Sequence, residues 1–106
     1  MRKATILYKD EPAGLLEQHD DGSFIFRYND DWFSNTEKPA ISLTLPKSKQ
    51  EYASQYLFPF FFNLLPEGTN KSVVCKYMRV DPDDHFGLLM VIGETETIGA
   101  ISVKQL

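Results

Sequence analysis

Side chains able to carry out acid–base, nucleophilic or metal chemistry are few in this chain and lie far apart. His19 and His85 are its only histidines, and neither stands at metal-ligand spacing from the other or from Cys75, the single cysteine. One cysteine allows neither an internal disulfide nor a cysteine-based zinc site. No base is placed by sequence to activate Cys75, which is interpreted as a small buried hydrophobe. The glycines are scattered, so no phosphate-wrapping loop is predicted.

Three pairs of aspartates could suggest an acidic site. Asp83 and Asp84 precede His85, but carboxylates in the first turn of a helix are ordinary capping groups. The pairs at 20–21 and 30–31 are interpreted as turn residues, because a calcium loop needs more oxygen ligands at fixed spacing. We therefore expect no catalytic residue, no cofactor and no metal, and an independent enzyme has no supporting constellation.

Composition sets limits on the class of protein. With 106 residues, 42% of them hydrophobic, one domain over residues 1–106 can bury a single core. A formal charge of -4 argues against direct nucleic-acid binding, which needs a basic face to release counterions. The N-terminal apolar run is too short for a signal peptide, and no run approaches the length of a membrane span. We expect a cytoplasmic protein without a membrane partner.

Residues 57–68, LFPFFFNLLPEG, form the most apolar stretch of the chain. Pro59 suits the first turn of a helix, and Pro66 disfavours a helical conformation for the residue before it. A short helix, apolar on most of its circumference, is therefore predicted at the centre of the core. Its two apolar faces would comprise Phe58, Phe61, Phe62 and Leu65 on one side, and Leu57, Phe60 and Leu64 on the other.

The remaining elements follow from periodicity and turn signals. Alternation predicts strands at 4–8, 15–19, 24–28 and 41–45, with turns at 11–14 and at Asp20-Asp21-Gly22, and a polar connection, helical in part, at 47–56. A helix is predicted at 71–79, capped by Thr69 or Asn70. A further helix is predicted with Asp81 as its N-cap and Pro82 as its first residue, and it is predicted to bury Phe86, Leu89 and Met90 and to end at Gly93. A last strand at 101–103 completes an α+β fold in which an antiparallel sheet, a meander plus the C-terminal strand, is covered by about three short helices.

Four residues leave two interpretations open. Trp32 and Phe33 are large aromatics in an otherwise polar loop at 29–38, so they either pack on the core or form contacts to a partner. Asn63 and Glu67 are the polar residues of the apolar stretch. They either contact a partner or a neighbouring backbone, or lie on the solvent side of the helix.

Three ordered motifs resemble the N-terminal domain of HipA-type toxin kinases. They are FFFNLLPEG at 60–68, DPDDHFGLLMVIG at 81–93 and TIGAISV at 97–103, preceded by LTLP at 43–46. The chain departs from the family pattern at Glu94, where members often have a second glycine, and only Lys71 could represent the basic residue that follows LLPEG. The residues that carry the resemblance are Phe61, Asn63, Leu64, Leu65, Pro66, Glu67, Gly68, Phe86, Leu89, Gly93, Gly99 and Ala100.

The resemblance also implies a role. In HipA-like proteins this domain precedes a kinase body, whose machinery is absent from these residues, so the chain is not expected to be a kinase. It is similar to HipS, the small antitoxin subunit of split HipA-type toxin–antitoxin systems in bacteria. The implied partner is a HipA-type Ser/Thr kinase subunit, with a helix-turn-helix repressor as a further member of the complex. The implied effect is inhibition; completion and activation of a split kinase is the alternative.

Overall fold

The computed structural model describes residues 1–65, 68–95 and 101–106. Its sheet has five strands in the order β4-β3-β2-β1-β5, every neighbouring pair being antiparallel. With the helices on it, this is the α+β arrangement that the sequence predicted. The elements are β1 Arg2–Tyr8, β2 Glu11–Gln18, β3 Phe24–Tyr28, α1 Asp30–Ser34, β4 Glu51–Ser54, α2 Pro59–Phe62, α3 Gly68–Met78, α4 His85–Thr95 and β5 Ile101–Gln105.

The first hairpin turns earlier than predicted. Its turn residues are Lys9 and Asp10, both with positive φ (49° and 67°), whereas the predicted turn at 11–14 is wrong because these residues belong to β2. The strand register shifts there, with Ile6 opposite Gly14 and Leu7 opposite Pro12, so Ala13 is the additional residue of a bulge. A bulge tolerates the missing N–H of a proline, which explains how this sequence continues a strand.

The second hairpin matches its prediction. Gly22 has a φ of 88°, and the Asp21 Oδ1 accepts hydrogen bonds from the Ser23 backbone N–H (2.9 Å) and hydroxyl (2.6 Å). In β3, the alternate residues Phe24, Phe26 and Tyr28 are buried, as the period-two pattern indicated.

The fourth strand comes from residues other than those predicted. Residues 41–45 form turns, and the strand β4 lies within the segment predicted to be a connection. The reason is local: the Ser42 carbonyl accepts a bond from Leu45 N–H (3.2 Å), which curls the chain and leaves Leu43 99% exposed. The buried Tyr28 hydroxyl then accepts a bond from Ile41 N–H (3.1 Å) and donates one to the Leu45 carbonyl.

The apolar stretch covers the sheet, although its helix is shorter than predicted. The helix α2 starts at Pro59, as expected, and ends at Phe62, followed by a tight turn through Leu65. The ring of Phe61 is fully buried, 5.7 Å from the ring of Phe26 in β3. Assigning Phe62 to the buried face was wrong, because its side chain is 45% exposed. Pro66 lies outside the described residues.

Two helix boundaries also differ. The helix α3 begins at Gly68, so Thr69 and Asn70 lie inside it and do not precede it as caps. The helix α4 begins at His85 and continues past Gly93 to Thr95. Asp81 therefore does not cap it; its carbonyl and carboxylate instead accept bonds in a turn before the helix. The predicted buried residues of this helix, Phe86, Leu89 and Met90, are confirmed.

The C-terminal strand returns to the sheet, as predicted. β5 pairs with β1, placing Val103 opposite Ile6, and both side chains are buried. The pairing extends to the chain end, where the Leu106 N–H donates to the Lys3 carbonyl (3.1 Å).

Candidate functional site

The cysteine and the two histidines, which could carry out nucleophilic, acid–base or metal chemistry, lie apart in the fold. Cys75 is buried, and His19, the residue after β2, has its Nε2 3.4 Å from Glu17 Oε1 of that strand. His85 contacts the ring of Phe62 edge-on, with centroids 5.1 Å apart. Across the described ranges, no three His, Cys, Asp or Glu side chains are grouped so that they could hold a metal ion. Within the described residues, these side chains are therefore not brought together.

Asp84 connects the start of α4 to the sheet. Its carboxylate accepts bonds from two nitrogens of the Arg2 guanidinium (2.6 and 3.0 Å) and from the Gly87 N–H (3.1 Å). Asp84 is thus the residue that caps the helix, while Arg2 in turn bonds Gln18 and lies over the Phe86 ring at 4.9 Å. Hydrogen bonding from Arg2 lowers the pKa of the Asp84 carboxyl, against the opposing effect of burial. Asp84 thus precedes α4 as its N-cap, whereas the sequence placed this acidic pair in the first turn of the helix.

A first exposed surface is a cleft beside this cap. It has a volume of about 300 Å³, and we call it the α4 cleft. Two of the aromatic side chains that line it are exposed, Tyr56 (77%) and Phe62 (45%). Apolar rings lie in it beside carboxamides and one carboxylate. The residues that line it are Gln18, Gly22, Phe24, Gln55, Tyr56, Leu57, Phe62, Asp83 and His85.

A second exposed surface lies along α3. Among residues 70–78 only Cys75 is buried, whereas Val73 and Tyr77 are 60% and 83% exposed and stand one helical turn apart. Met78, 41% exposed, is the third large apolar residue of this surface. We define the α3 face as Val73, Lys76, Tyr77, Met78 and Arg79.

Sequence reasoning did not identify the α3 face, although a signal was present. Val73–Tyr77 and Val74–Met78 are pairs on adjoining sides of one helix. Val74 is partly buried against the core, beside Cys75. A helix this short and polar cannot bury both sides, so one pair had to remain exposed.

The proposed partner contacts Trp32 and Phe33 lie on α1, a helix where a loop was predicted. Trp32 is 4% exposed, and its indole N–H donates to the Pro39 carbonyl (2.9 Å), so the structure favours the core interpretation for this residue. Phe33 is partly buried and packs against the core. Contact of these two residues with a partner stays a prediction.

Burial is described for six of the residues that carried the resemblance, and five of these six are buried or partly buried. Phe61, Leu65, Phe86 and Leu89 are buried, and Leu64 is partly buried. Asn63 is exposed at the end of α2, which agrees with its solvent-side interpretation. Gly68 begins α3 and Gly93 lies within α4, while Pro66, Glu67, Gly99 and Ala100 lie outside the described residues. The motif therefore reflects packing of the fold.

Comparison with known proteins gives a consistent picture. Residues 4–104 match the family model of the HipA N-terminal domain. A solved structure described as "N-terminal domain of HipA toxin" superposes with a TM-score of 0.74 at 30% identity, covering 100% of this chain and 93% of that one.

Relatives of two lengths are found. A Haemophilus influenzae protein described as "Uncharacterized protein" is 31% identical over 99% of this chain and 93% of its own length. The Sinorhizobium fredii proteins "Putative kinase Y4dM" and "Putative kinase Y4mE" are 31% and 27% identical, but the chain spans only 27% and 22% of their lengths. Since the family model covers nearly every residue, this chain belongs to the HipA N-terminal domain family.

Proposed function

We propose that this chain is a non-catalytic binding module that docks on a separately encoded HipA-type Ser/Thr kinase and inhibits it, as an antitoxin does. The observation that carries the proposal is the pattern of coverage. The chain matches a HipA N-terminal domain throughout, yet it corresponds to about a quarter of Y4dM. A Haemophilus influenzae relative has nearly the same length as this chain, which supports a domain that works as a separate polypeptide.

The surface supports binding better than catalysis. Four large apolar side chains are exposed to solvent on helices or on the bend before α2: Tyr56, Phe62, Val73 and Tyr77. Aromatic side chains of this kind are frequent at the energetic centre of protein interfaces. Inhibition would follow if the docked module blocked access of the protein substrate or a movement of the kinase.

A second candidate role uses the same contacts with the opposite result. In the Sinorhizobium fredii relatives, the matching domain is part of a longer chain. The separate domain could therefore complete a split kinase and activate it. In either role the complex would form in the cytoplasm. A helix-turn-helix repressor would supply the DNA contacts, for which a net charge of -4 makes this chain poorly suited.

Co-expression tests both roles. The chain, carrying an affinity tag, is produced with the HipA-type kinase encoded beside it, and the eluate is assayed for the kinase while growth is followed. We expect a stable complex and relief of toxicity. Increased autophosphorylation in the complex would support the activating role instead, and absence of a complex would reject both.

The control is a Trp32→Ala variant, which removes a buried ring. Any loss of binding in that variant together with a lower melting temperature indicates unfolding of the module. Loss of binding at an unchanged melting temperature would instead show that Trp32 contacts the kinase.

A further inference from the structure

The helix α3 is exposed to an unusual degree for its length. It has 11 residues, and Cys75 is the one side chain among residues 70–78 that is buried. Helices shorter than about 12–15 residues are marginal in water, and packing of an apolar side supplies most of their stability in proteins. Val74 is partly buried against the core, but the other large apolar residues of α3, Val73, Tyr77 and Met78, are exposed.

The charge of α3 is opposite to that of the protein. Residues 68–79 contain Lys71, Lys76 and Arg79 and no acidic residue, in a chain of net charge -4. The ion pairs found among the described residues involve other cations, those of the N-terminus, Arg2, Lys3, His19, Arg27 and Lys38. The α3 face thus presents apolar side chains beside cations that take no part in those pairs.

Arg79 adds a structural indication. The Val80 N–H donates to the Cys75 carbonyl (3.0 Å). This is the hydrogen bond that ends a helix when the residue after its last turn has a left-handed backbone conformation. That residue is Arg79, with a φ of 58°, at a position where glycine is the usual choice. A large cation is held there at a conformational cost, which suggests a role for its charge.

We propose that the α3 face is the surface on which the partner kinase docks, and that the complementary kinase surface is acidic and carries apolar side chains. This inference rests on the proposed function and specifies its surface. Tyr77 and Val73 would supply the desolvated centre, while Lys76 and Arg79 at the rim would attract the acidic partner and fix its orientation. Docking would also give α3 the packing that it lacks in the free chain.

In the test, each of four variants is immobilised on a surface, and the association and dissociation of the purified kinase are measured. Tyr77→Ala should weaken binding at least about tenfold, as expected for an aromatic interface centre. Lys76→Glu should chiefly slow association, and its effect should shrink between about 0.1 M and about 1 M salt, where screening shortens to about 3 Å. The matched controls are Leu43→Ser, an exposed apolar residue elsewhere, and Lys104→Glu, an exposed lysine of β5, and neither should change the affinity.

A second arm does not depend on the kinase. A synthetic copolymer of glutamate and tyrosine should bind the unmodified chain, and Lys76→Glu and Tyr77→Ala should both weaken that binding. Failure of the kinase to bind while the copolymer does would reject the proposed function but retain a basic docking surface for acidic ligands. Kinase binding that is unaffected by α3 substitutions would reject the inference alone.

Two further outcomes would overturn it. Preference for duplex DNA over the copolymer would assign the cations to nucleic acid. Self-association that Tyr77→Ala abolishes would assign the face to a second copy of the chain.

Discussion

At the scale of single residues, Asp84 determines where α4 begins. The sequence predicted Asp81, the first of the three aspartates in DPDD, as the cap, but Asp84 caps the helix. The choice depends on Arg2, which reaches Asp84 from the other end of the chain (2.6 Å). Local charge preferences are the same for neighbouring aspartates, so no local pattern could have identified the one that meets this guanidinium.

Gly87 should show the importance of this contact. Alanine normally stabilises a helix by about 1 kcal/mol relative to glycine, but a Cβ at Gly87 would lie 2.9 Å from Asp84 Cγ. Gly87→Ala would displace the Asp84 carboxylate, which would lose its hydrogen bonds to the backbone N–H of residue 87 and to Arg2. This loss would cancel the gain in helix stability. In an Asp84→Ala background, the same change should stabilise the protein by about 1 kcal/mol. Urea unfolding of the four proteins measures the difference.

The cycle contains its own control, since Asp84→Ala alone should cost about 1 kcal/mol through the lost cap. Equal stabilisation by Gly87→Ala in both backgrounds would show that the carboxylate can move freely, contrary to the geometry described.

Tyr28 illustrates a second limit of local patterns. Its hydroxyl bonds the backbone at both Ile41 and Leu45, and burial raises the pKa of this phenol above its ordinary 10.0, so it stays neutral. Those bonds hold residues 41–45 in turns. The alternation of Ile41, Leu43 and Leu45 nevertheless predicts a strand. The sequence of residues 41–45 does not reveal that a tyrosine from β3 will hydrogen-bond their backbone.

At the scale of elements, alternation predicted β1, β3 and β5 because each buries one side of the strand. β4 is an edge strand whose residues alternate only between exposed and partly buried, so Glu51–Ser54 carries no strong apolar pattern. The α+β class, the meander and the buried residues of α4 were thus within reach of the sequence. The exposed surfaces could not be predicted, because the exposure of a side chain depends on which other elements pack against it.

The helix α2 gives a sharp comparison of two adjacent phenylalanines. Phe61→Ala should lower the free energy of unfolding by about 3–5 kcal/mol, because its fully buried ring would leave a cavity. Phe62→Ala should cost about 1 kcal/mol or less, because its half-exposed ring loses little beyond the contact with His85. Denaturant titration of both variants provides the measurement. Similar losses for the two would contradict the described orientation of α2.

At the scale of the whole molecule, charge is distributed unevenly. In a chain of net charge -4, residues 68–79 contain three cations and no acidic residue, as residues 38–49 also do. Acidic proteins repel one another in solution, whereas a basic face on one of them attracts an acidic partner in a defined orientation. On the docking proposed above, the basic α3 face would serve recognition, while the net negative charge would oppose self-association.

Arg79→Gly should separate stability from binding. Glycine adopts the left-handed conformation without steric cost, so the variant should be at least as stable as the unmodified chain, gaining up to about 1 kcal/mol. Loss of the cation should at the same time weaken association with the kinase. Thermal melting and association rates measured on one preparation test both effects. A variant that is less stable, or that binds more tightly, would contradict this account.

The pairing of β5 with β1 has a consequence for how the chain folds. β1 is the first strand in the chain and lies between β2 and β5, yet Ala4 pairs with Gln105, about 100 residues later. During synthesis, one edge of β1 stays unpaired until residues 101–105 have left the ribosome, and closing so long a loop is intrinsically slow. A nascent domain of this topology completes its sheet only once β5 has emerged, which leaves an interval in which a partner or a chaperone can reach that open edge.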